Sequence, residues 1–465
     1  MKQILIILLT VFTFQVSGQE IRPEVKKLVH KIQKVNQLNS KRVGFTGAIT
    51  EQYLDFEKLR EKATIDELLK LLEYENSVVK AYSAWALVDK MYPNLASLFV
   101  EFLNSGETVR TQHGCIVTDS EISSEFYNRV AYQHIHNKLT PSDSLFFLSQ
   151  KEQLDSIILY GERNNYFLRN ALLGNNANPD TYERIRYWAF NKKNAYGIEA
   201  LAVYQKKEDI ADFKKLGEQA FVAIAKFPAT EFWDFLLSYK GKNQSTEYLM
   251  ALAVFKTEES AKVLTEIFSN LTEDEVGSLS GILSDNYCTF YQDLLLEIWE
   301  KYQTISYGTT KQLISDISLK AAKSFSIGLL SDEELYFVHK DYDFASVDKI
   351  LPLMLESIKE YDNSQLLNVC KNRIKISKFT IVEQLMQFIK DNHFTEMSDE
   401  IFTRLQQKNQ AFEVFHLTKT ILSFDNPEDK IKVINTLKVN QKDWDWGNWS
   451  GSMRKLLRAY DIEFD

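Results

Sequence analysis

The sequence predicts an all-α protein, a right-handed α-solenoid built from helical hairpins with degenerate repeats. Three observations carry that reading. The 465 residues include only 16 Gly and 7 Pro, about 5% together against roughly 12% in an average protein, and strand-rich or loop-rich folds need many turns built on those two residues. The stretch from Thr64 to Leu103 places three helical signals around two short turns. Ala-Leu pairs in predicted helices recur along the chain at unequal offsets, which suits a solenoid with insertions better than identical tandem units. With 45% hydrophobic residues and 13% aromatics, the low-hydrophobicity signature of disorder is missing.

Residues 1–18 read as a signal peptide. Lys2 is the positive n-region, Ile4 to Phe14 the apolar core, and Val16-Ser17-Gly18 supplies tolerated residues at the cleavage site. The apolar run is shorter than the ~20 residues that span a bilayer, so the expectation is cleavage near Gly18, a mature chain from Gln19, and a periplasmic or extracellular location. No later apolar run approaches spanning length. Three further regions follow: 19–140, an N-terminal helix and the first repeats; 141–305, central repeats; and 306–465, C-terminal repeats closed by a Trp-rich cap.

Glu20 to Asn39 has helical periodicity and is expected to form one helix covering the first repeat. Ser40 to Tyr53 contains Gly44-Phe-Thr-Gly47; the Lys-Ser/Thr of a phosphate loop is missing, so this reads as an ordinary connection. The first helix of the organising unit opens with Thr64 and has Glu67 three residues on, a capping box, followed by Ile65, Leu68, Leu69 and Leu72 on one helical face. Asn76 is placed to cap a second helix with apolar residues on two flanks, Val79, Ser83, Ala86 and Leu87 on one and Val78, Tyr82 and Trp85 on the other. Such a helix has neighbours on both sides, as inside a stack of hairpins, and Leu69 is expected to face Leu87 across the hairpin. A third helix carries Leu95, Leu98, Phe99, Phe102 and Leu103.

The second helix, Asn76-x-x-Val79-Lys80-x-x-Ser83-x-x-Ala86-Leu87, resembles the second half of a HEAT repeat, whose pattern is Asp-x-x-Val-Arg-x-x-Ala-x-x-Ala-Leu. Val79, Ala86 and Leu87 match outright; Asn76 keeps the capping role, Lys80 the charge and Ser83 the small size. The resemblance covers about a tenth of the chain and implies a curved α-solenoid that binds other proteins, with no catalytic motif to carry over. At ~40–47 residues per repeat the mature chain would hold roughly nine or ten units.

Weaker echoes follow. Ala200 to Tyr204 with Glu208 matches Ala251 to Phe255 with Glu259 in spacing, and Ala86-Leu87 is a more distant copy. Thr111 to Glu121 has no helical period and reads as an extended loop or insertion. Helices are expected over Glu121 to Lys138, Ser142 to Tyr160 and Pro179 to Phe190. Asn175 to Pro179, Lys240 to Ser245 and Ser306 to Thr310 are linker candidates. No Gly occurs between Gly328 and Gly447, so the last third is the most regular, with Pro352 marking a helix start or kink.

The charge balance excludes one class of function. Without Lys2, 54 Lys plus Arg stand against 64 Asp plus Glu, a net charge of −10, whereas binding a phosphate backbone needs a concentrated positive field. The run Lys371, Arg373, Lys375, Lys378 reads as a solvated helix end. Cys115, Cys288 and Cys370 lack disulfide-framework or CxxC spacing and read as buried small hydrophobes.

Candidates for chemistry are few. His134 and His136, with His113 and Cys115 upstream, are metal-ligand types, but residues two apart on a helix point in nearly opposite directions. Ser-x-x-Lys occurs at Ser77/Lys80, Ser346/Lys349 and Ser452/Lys455 without its companion motifs. Asp119, Glu121 and Glu125 are the residue types of an acid/base pair; among 64 acidic residues they read as a solvated face. Trp444, Trp446 and Trp449 lie within nine residues at non-helical spacing. Trp suits either a hydrophobic cap or a binding surface, and a solenoid must seal its last face, so capping is the expected role. The functional expectation is an exported, non-enzymatic scaffold with a protein or peptide partner and no metal, cofactor or nucleic acid. The rivals are a secreted α/α-toroid enzyme acting on polysaccharides, disfavoured by the poverty of Gly and Pro, and a tetratricopeptide-like peptide-binding module.

Overall fold

A computed structural model describes residues 20–136, 139–163, 167–331, 335–338, 348–377, 380–407, 410–440 and 449–463. It is mostly helical, with 25 α-helices and five short strands among the described residues. No helix among them is long and apolar enough to cross a membrane. The chain divides into two compact units, one ending at Tyr204 and one beginning at Gln205.

The first unit opens with α1 (Pro23–Val35). The expected single helix to Asn39 is cut short: Asn36 takes a left-handed conformation at φ 51, which Asn tolerates as a helix stop, and Leu38–Val43 continues as strand β1. Tyr82 holds that strand in place, its hydroxyl accepting from the Asn39 N–H at 2.8 Å and donating to the Asn39 carbonyl at 3.1 Å. Gly44 and Gly47, at φ 71 and 63, turn the chain, and α2 (Glu51–Lys62) starts inside the expected connection, capped by Thr50.

The organising unit forms as three helices, α3 (Ile65–Leu71), α4 (Ser77–Asp89) and α5 (Leu95–Ser105). The capping box is present: the Glu67 N–H donates to Thr64 Oγ1 at 3.2 Å and the Thr64 N–H to Glu67 Oε2 at 3.0 Å. Asn76 caps α4 by accepting from the Val79 N–H at 3.0 Å. From Val78 to Val88 every residue of α4 except Lys80 is buried, because α1, α2, α3, two strands and α6 (Ile122–His136) surround it. The face of α3 is rotated from expectation: Leu68 and Leu71 are buried, whereas Ile65, Leu69 and Leu72 are half-buried. Leu87 is core; Leu69 lies at its margin.

The expected loop at Thr111 to Glu121 is instead a β-hairpin, β2 (Thr108–Gly114) and β3 (Ile116–Glu121), and β1 joins β2 in parallel to make a three-stranded sheet. Helices at Ile122–His136 and Pro141–Tyr160 and short helical segments from Pro179 to Asn191 match expectation.

The copies around Ala86, Ala200 and Ala251 share one stop signal. The fifth residue after each Ala is left-handed: Met91 at φ 53, Gln205 at φ 53 and Lys256 at φ 54. Asn175 to Asn178 and Lys240 to Ser245 lie in turns and irregular connections, and Pro179 opens a short 3-10 helix. Ser306 to Thr310 is not a linker. A strand, Thr304–Ser306, runs straight into the helix Tyr307–Leu330, Ser306 caps that helix through the Thr309 N–H at 3.2 Å, and Thr309 and Thr310 are buried. Pro352 sits in the first turn of Ile350–Tyr361, where its missing N–H costs nothing.

Three arginines, Arg373 and Arg404 buried and Arg184 partly exposed, tie helix ends together. Arg184 Nε donates to the Leu159 carbonyl at 2.6 Å, Arg373 Nε to Leu329 at 2.6 Å and Arg404 Nη1 to Ile374 at 2.6 Å. Each satisfies a carbonyl that a helix C-terminus leaves unpaired. Arg373 therefore corrects the expected solvated run, since it is fully buried, and its neighbour Lys371 pairs with Glu400 at 3.1 Å; Lys378 lies outside the described residues.

Candidate protein interface

The three-stranded sheet presents one face to the core and one strand to solvent. Leu38, Val109 and Thr111 are buried, and β1 and β2 lie against α4. The hairpin turn is a two-residue loop, Gly114 and Cys115, with Gly114 at φ 57, a positive φ that glycine adopts at no steric cost. Beyond the turn the core ends. Ile116 is 69% exposed and Val117 44%, and Thr118 and Asp119 are exposed as well. Phe45 joins them at this end of the sheet, because the Gly44 N–H donates to the Gly114 carbonyl at 2.8 Å, and its side chain is 100% exposed. Ile116 and Val117 leave opposite faces of the hairpin, so the exposed apolar groups share one end of the sheet, and exposed apolar surface of that kind can mark an interaction site.

Behind this edge a charged and aromatic cluster fixes the sheet to the helices. Asp89, buried at the end of α4, accepts from Arg129 Nε at 2.7 Å, from Arg60 Nη1 at 3.1 Å and from the Gln133 amide. The Arg129 guanidinium lies 5.0 Å from the Trp85 ring centre and 5.7 Å from that of Phe56, within cation–π reach. Trp85 Nε1 donates to the Glu125 carbonyl at 3.1 Å. His113 Nε2 lies 3.1 Å from Glu125 Oε2, and that hydrogen bond to a buried carboxylate raises the imidazole pKa above its usual value. These contacts hold β2, α4 and α6 as one base under an exposed edge.

The carboxylates are not brought together. Residues alternate faces along a strand; His113, paired with Ile116, and Arg110, paired with Asp119, therefore leave opposite faces of the hairpin. Glu125 is committed to His113 on one side, Asp119 and Glu121 lie on the other, and Glu121 accepts from Ser123 at 2.9 Å. Lys80 pairs with Glu107 at 2.6 Å, and Ser452 and Lys455 are exposed on the last helix; Ser346 lies outside the described residues. The side chains of His134 and His136 also lie outside them. All three cysteines are free thiols; Cys370 is the buried hydrophobe expected, and burial pushes its thiol up to about 12, but Cys115 is exposed at the hairpin tip, and Cys288 is partly exposed.

Trp444 and Trp446 fall outside the described residues. Trp449 starts the helix Trp449–Arg458 and packs on the helix Ala411–Leu422, its ring 5.4 Å from Phe412, 5.2 Å from Phe415 and 6.1 Å from His416. The hairpin and its edge are what sequence reasoning missed. Their signal is Thr108-Val-Arg-Thr-Gln and Ile116-Val-Thr-Asp-Ser, two β-branched stretches flanking Gly114. No family model, curated protein or solved structure matches this chain.

Proposed function

We propose that this chain is an exported, non-enzymatic α-solenoid scaffold that binds another protein, and that it does so at the N-terminal sheet. One observation carries the reading: Phe45, Ile116 and Val117 stand exposed beside β3, which among the described residues pairs with a strand on one side only, on a base held by ion pairs to the buried Asp89 carboxylate. An unpaired strand offers main-chain donors and acceptors to a partner, and apolar side chains beside it supply burial. The α3–α4 hairpin, with its capping box, Asn76 cap and buried Val79, Ala86 and Leu87, supports the HEAT-like resemblance, whose members bind proteins. The signal-like N-terminus supports export to a bacterial envelope or beyond.

The test uses the purified mature chain as bait against an envelope extract, compared with the triple variant Phe45→Ser, Ile116→Ser, Val117→Ser. The expected result is capture of specific proteins by the wild type and its loss in the variant, with both melting at the same temperature. Equal capture by both would overturn the assignment of the surface. Turnover of any member of a glycan and ester panel, abolished by Asp119→Asn or Glu125→Gln, would overturn the non-enzymatic reading.

A further inference from the structure

We infer that His113 and Glu125 form a proton-operated clamp on the β2–β3 hairpin: the imidazolium holds the hairpin tip against α6 in mild acid, and loss of its proton loosens the tip. The tip carries Ile116 and Val117, so the inference rests on the reading of the N-terminal sheet as a protein interface and names how that site is regulated. The hairpin divides into an anchored base and an exposed tip. At the base Val109 and Thr111 are buried, and the Ile122 N–H donates to the Glu107 carbonyl at 2.9 Å. Ile116, Val117, Thr118 and Asp119 are exposed, so apolar burial does little to hold the tip. From the helices, Glu125 reaches it. His113 closes the two-residue turn opposite Ile116, and its Nε2 lies 3.1 Å from Glu125 Oε2. The two side chains differ in exposure, 5% for Glu125 and 45% for His113. An imidazole open to solvent exchanges its proton freely. A buried carboxylate deprived of its countercharge is strongly destabilising, so the proton on His113 decides how firmly the tip is held.

The other charged and titratable groups around the imidazole are committed elsewhere. On α6, Arg129 is bonded to Asp89 at 2.7 Å. On α4, Lys80 pairs with Glu107 at 2.6 Å and the Tyr82 hydroxyl with the Asn39 backbone, and the group that neighbours the imidazole is the uncharged Trp85 ring, its centre 6.4 Å away. Within the hairpin, Arg110, Asp119 and Glu121 leave the face opposite His113, and the Cys115 thiol is exposed in the turn. Lys41 and Arg42 of β1 are exposed. Glu125 therefore governs the imidazole, and its hydrogen bond raises the His113 pKa above 6.5 against the opposing effect of burial. With the folded value above the unfolded one, the stabilisation is complete below pH 6.5 and is lost as pH rises through the folded value. In mild acid the tip is already ordered when a partner arrives, and binding is spared the cost of ordering it.

The experiment is hydrogen–deuterium exchange on the full mature chain with no partner, at about pH 6 and about pH 8.5, read as protection relative to the intrinsic rate at each pH. Peptides from the hairpin, residues 108–121, are compared with peptides from α4, residues 77–89. The wild-type hairpin is expected to lose protection by about threefold or more between the two pH values while α4 stays constant. His113→Gln keeps a donor but cannot gain a proton, and Glu125→Gln keeps an acceptor without the charge. Each should give hairpin protection that is the same at both pH values. Protection of α4 shows that each variant is folded, and if Glu125→Gln does not fold, the wild type and His113→Gln decide the matter. Hairpin protection independent of pH in the wild type, or a pH dependence that survives these substitutions, would overturn the inference. Because no partner is present, the clamp and the interface fail separately. A pH-dependent hairpin in a chain that captures no protein at either pH leaves the clamp and removes the interface; a pH-independent hairpin in a chain whose capture needs Ile116 and Val117 removes the clamp and leaves the interface.

Discussion

Glu67 is expected to lock the start of the chain to the organising unit through its charge. Its carboxylate accepts from the Arg22 backbone N–H at 2.9 Å, from Arg22 Nε at 3.0 Å and from Arg22 Nη2 at 2.8 Å, while also closing the capping box on Thr64. Arg22 in turn reaches the Lys62 carbonyl at 2.6 Å, so one carboxylate joins the entry to α1, the end of α2 and the start of α3. The hydrogen bonds from Arg22 lower the Glu67 pKa from 4.5 to about 2. At about 1.4 kcal/mol per pKa unit this corresponds to roughly 3 kcal/mol. The Arg22 side chain is 44% exposed, and solvent screening reduces the expected contribution to about 2 kcal/mol. Because the folded pKa lies below the unfolded one, the stabilisation is complete above pH 4.5 and is lost as pH falls toward 2. Glu67→Gln keeps the shape and the acceptor but removes the charge. Urea unfolding followed by circular dichroism should show the variant less stable by about 2 kcal/mol at pH 7, with less than half of that difference left at about pH 3. A difference of the same size at both pH values would refute the argument, because the loss would then come from packing.

Leu87 is fully buried and Leu69 half-buried, so Leu87→Ala should cost about 2–5 kcal/mol in chemical denaturation and Leu69→Ala markedly less; equal losses would mean that α3 packs as the sequence alone suggested. Trp449→Ala should lower the melting temperature of the full chain if the ring closes the helix Ala411–Leu422, whereas an unchanged melting temperature would refute the capping role. His416 is buried beside Phe412, Phe415 and Trp449, and burial with the nearby Lys419 lowers its pKa to about 4. Its folded pKa thus lies below the unfolded ~6.5, so the stability it permits is complete above that value and is lost as pH falls toward 4, about 2 kcal/mol between pH 7 and pH 5; His416→Phe should flatten this acid limb in thermal melts.

Two helix starts were legible because a short polar residue stood three positions before the amide it caps, Thr64 and Asn76; Asn194 and Ser245 cap in the same way but were not legible as caps. The face of α3 was not legible, because its seven residues make only about two turns, too few for a stripe to fix which side is inward. Tertiary partners decided it. The sheet was hidden for another reason: β1 pairs with β2 across some seventy residues, and its sequence, Leu-Asn-Ser-Lys-Arg-Val, carries little strand preference. Ser306 shows the opposite error, a cap read as a linker because Gly308 stood beside it. At the candidate interface the residue types were visible, but their exposure was not. Phe45 reads as any aromatic until the turn at Gly44 and Gly47 is seen to hold it away from the core.

Three arginines tie helix ends together in the same way, Arg373 and Arg404 buried and Arg184 partly exposed. A helix end packed into the interior leaves carbonyls that must find a donor, and an unpaired buried carbonyl costs as much as a lost hydrogen bond. Arg184, Arg373 and Arg404 each span from one helix to the carbonyls closing an earlier one, over sequence separations of 25, 44 and 30 residues respectively. Trp188 adds a second donor at the first of these ends, its Nε1 bonding the Leu159 carbonyl at 2.8 Å. The guanidinium fork reaches several carbonyls from one side chain, so each joint needs no matching apolar residues. The same accounting applies to the N-terminal sheet: its inner groups are bonded to Tyr82 and β2, while among the described residues no strand pairs with the outer edge of β3.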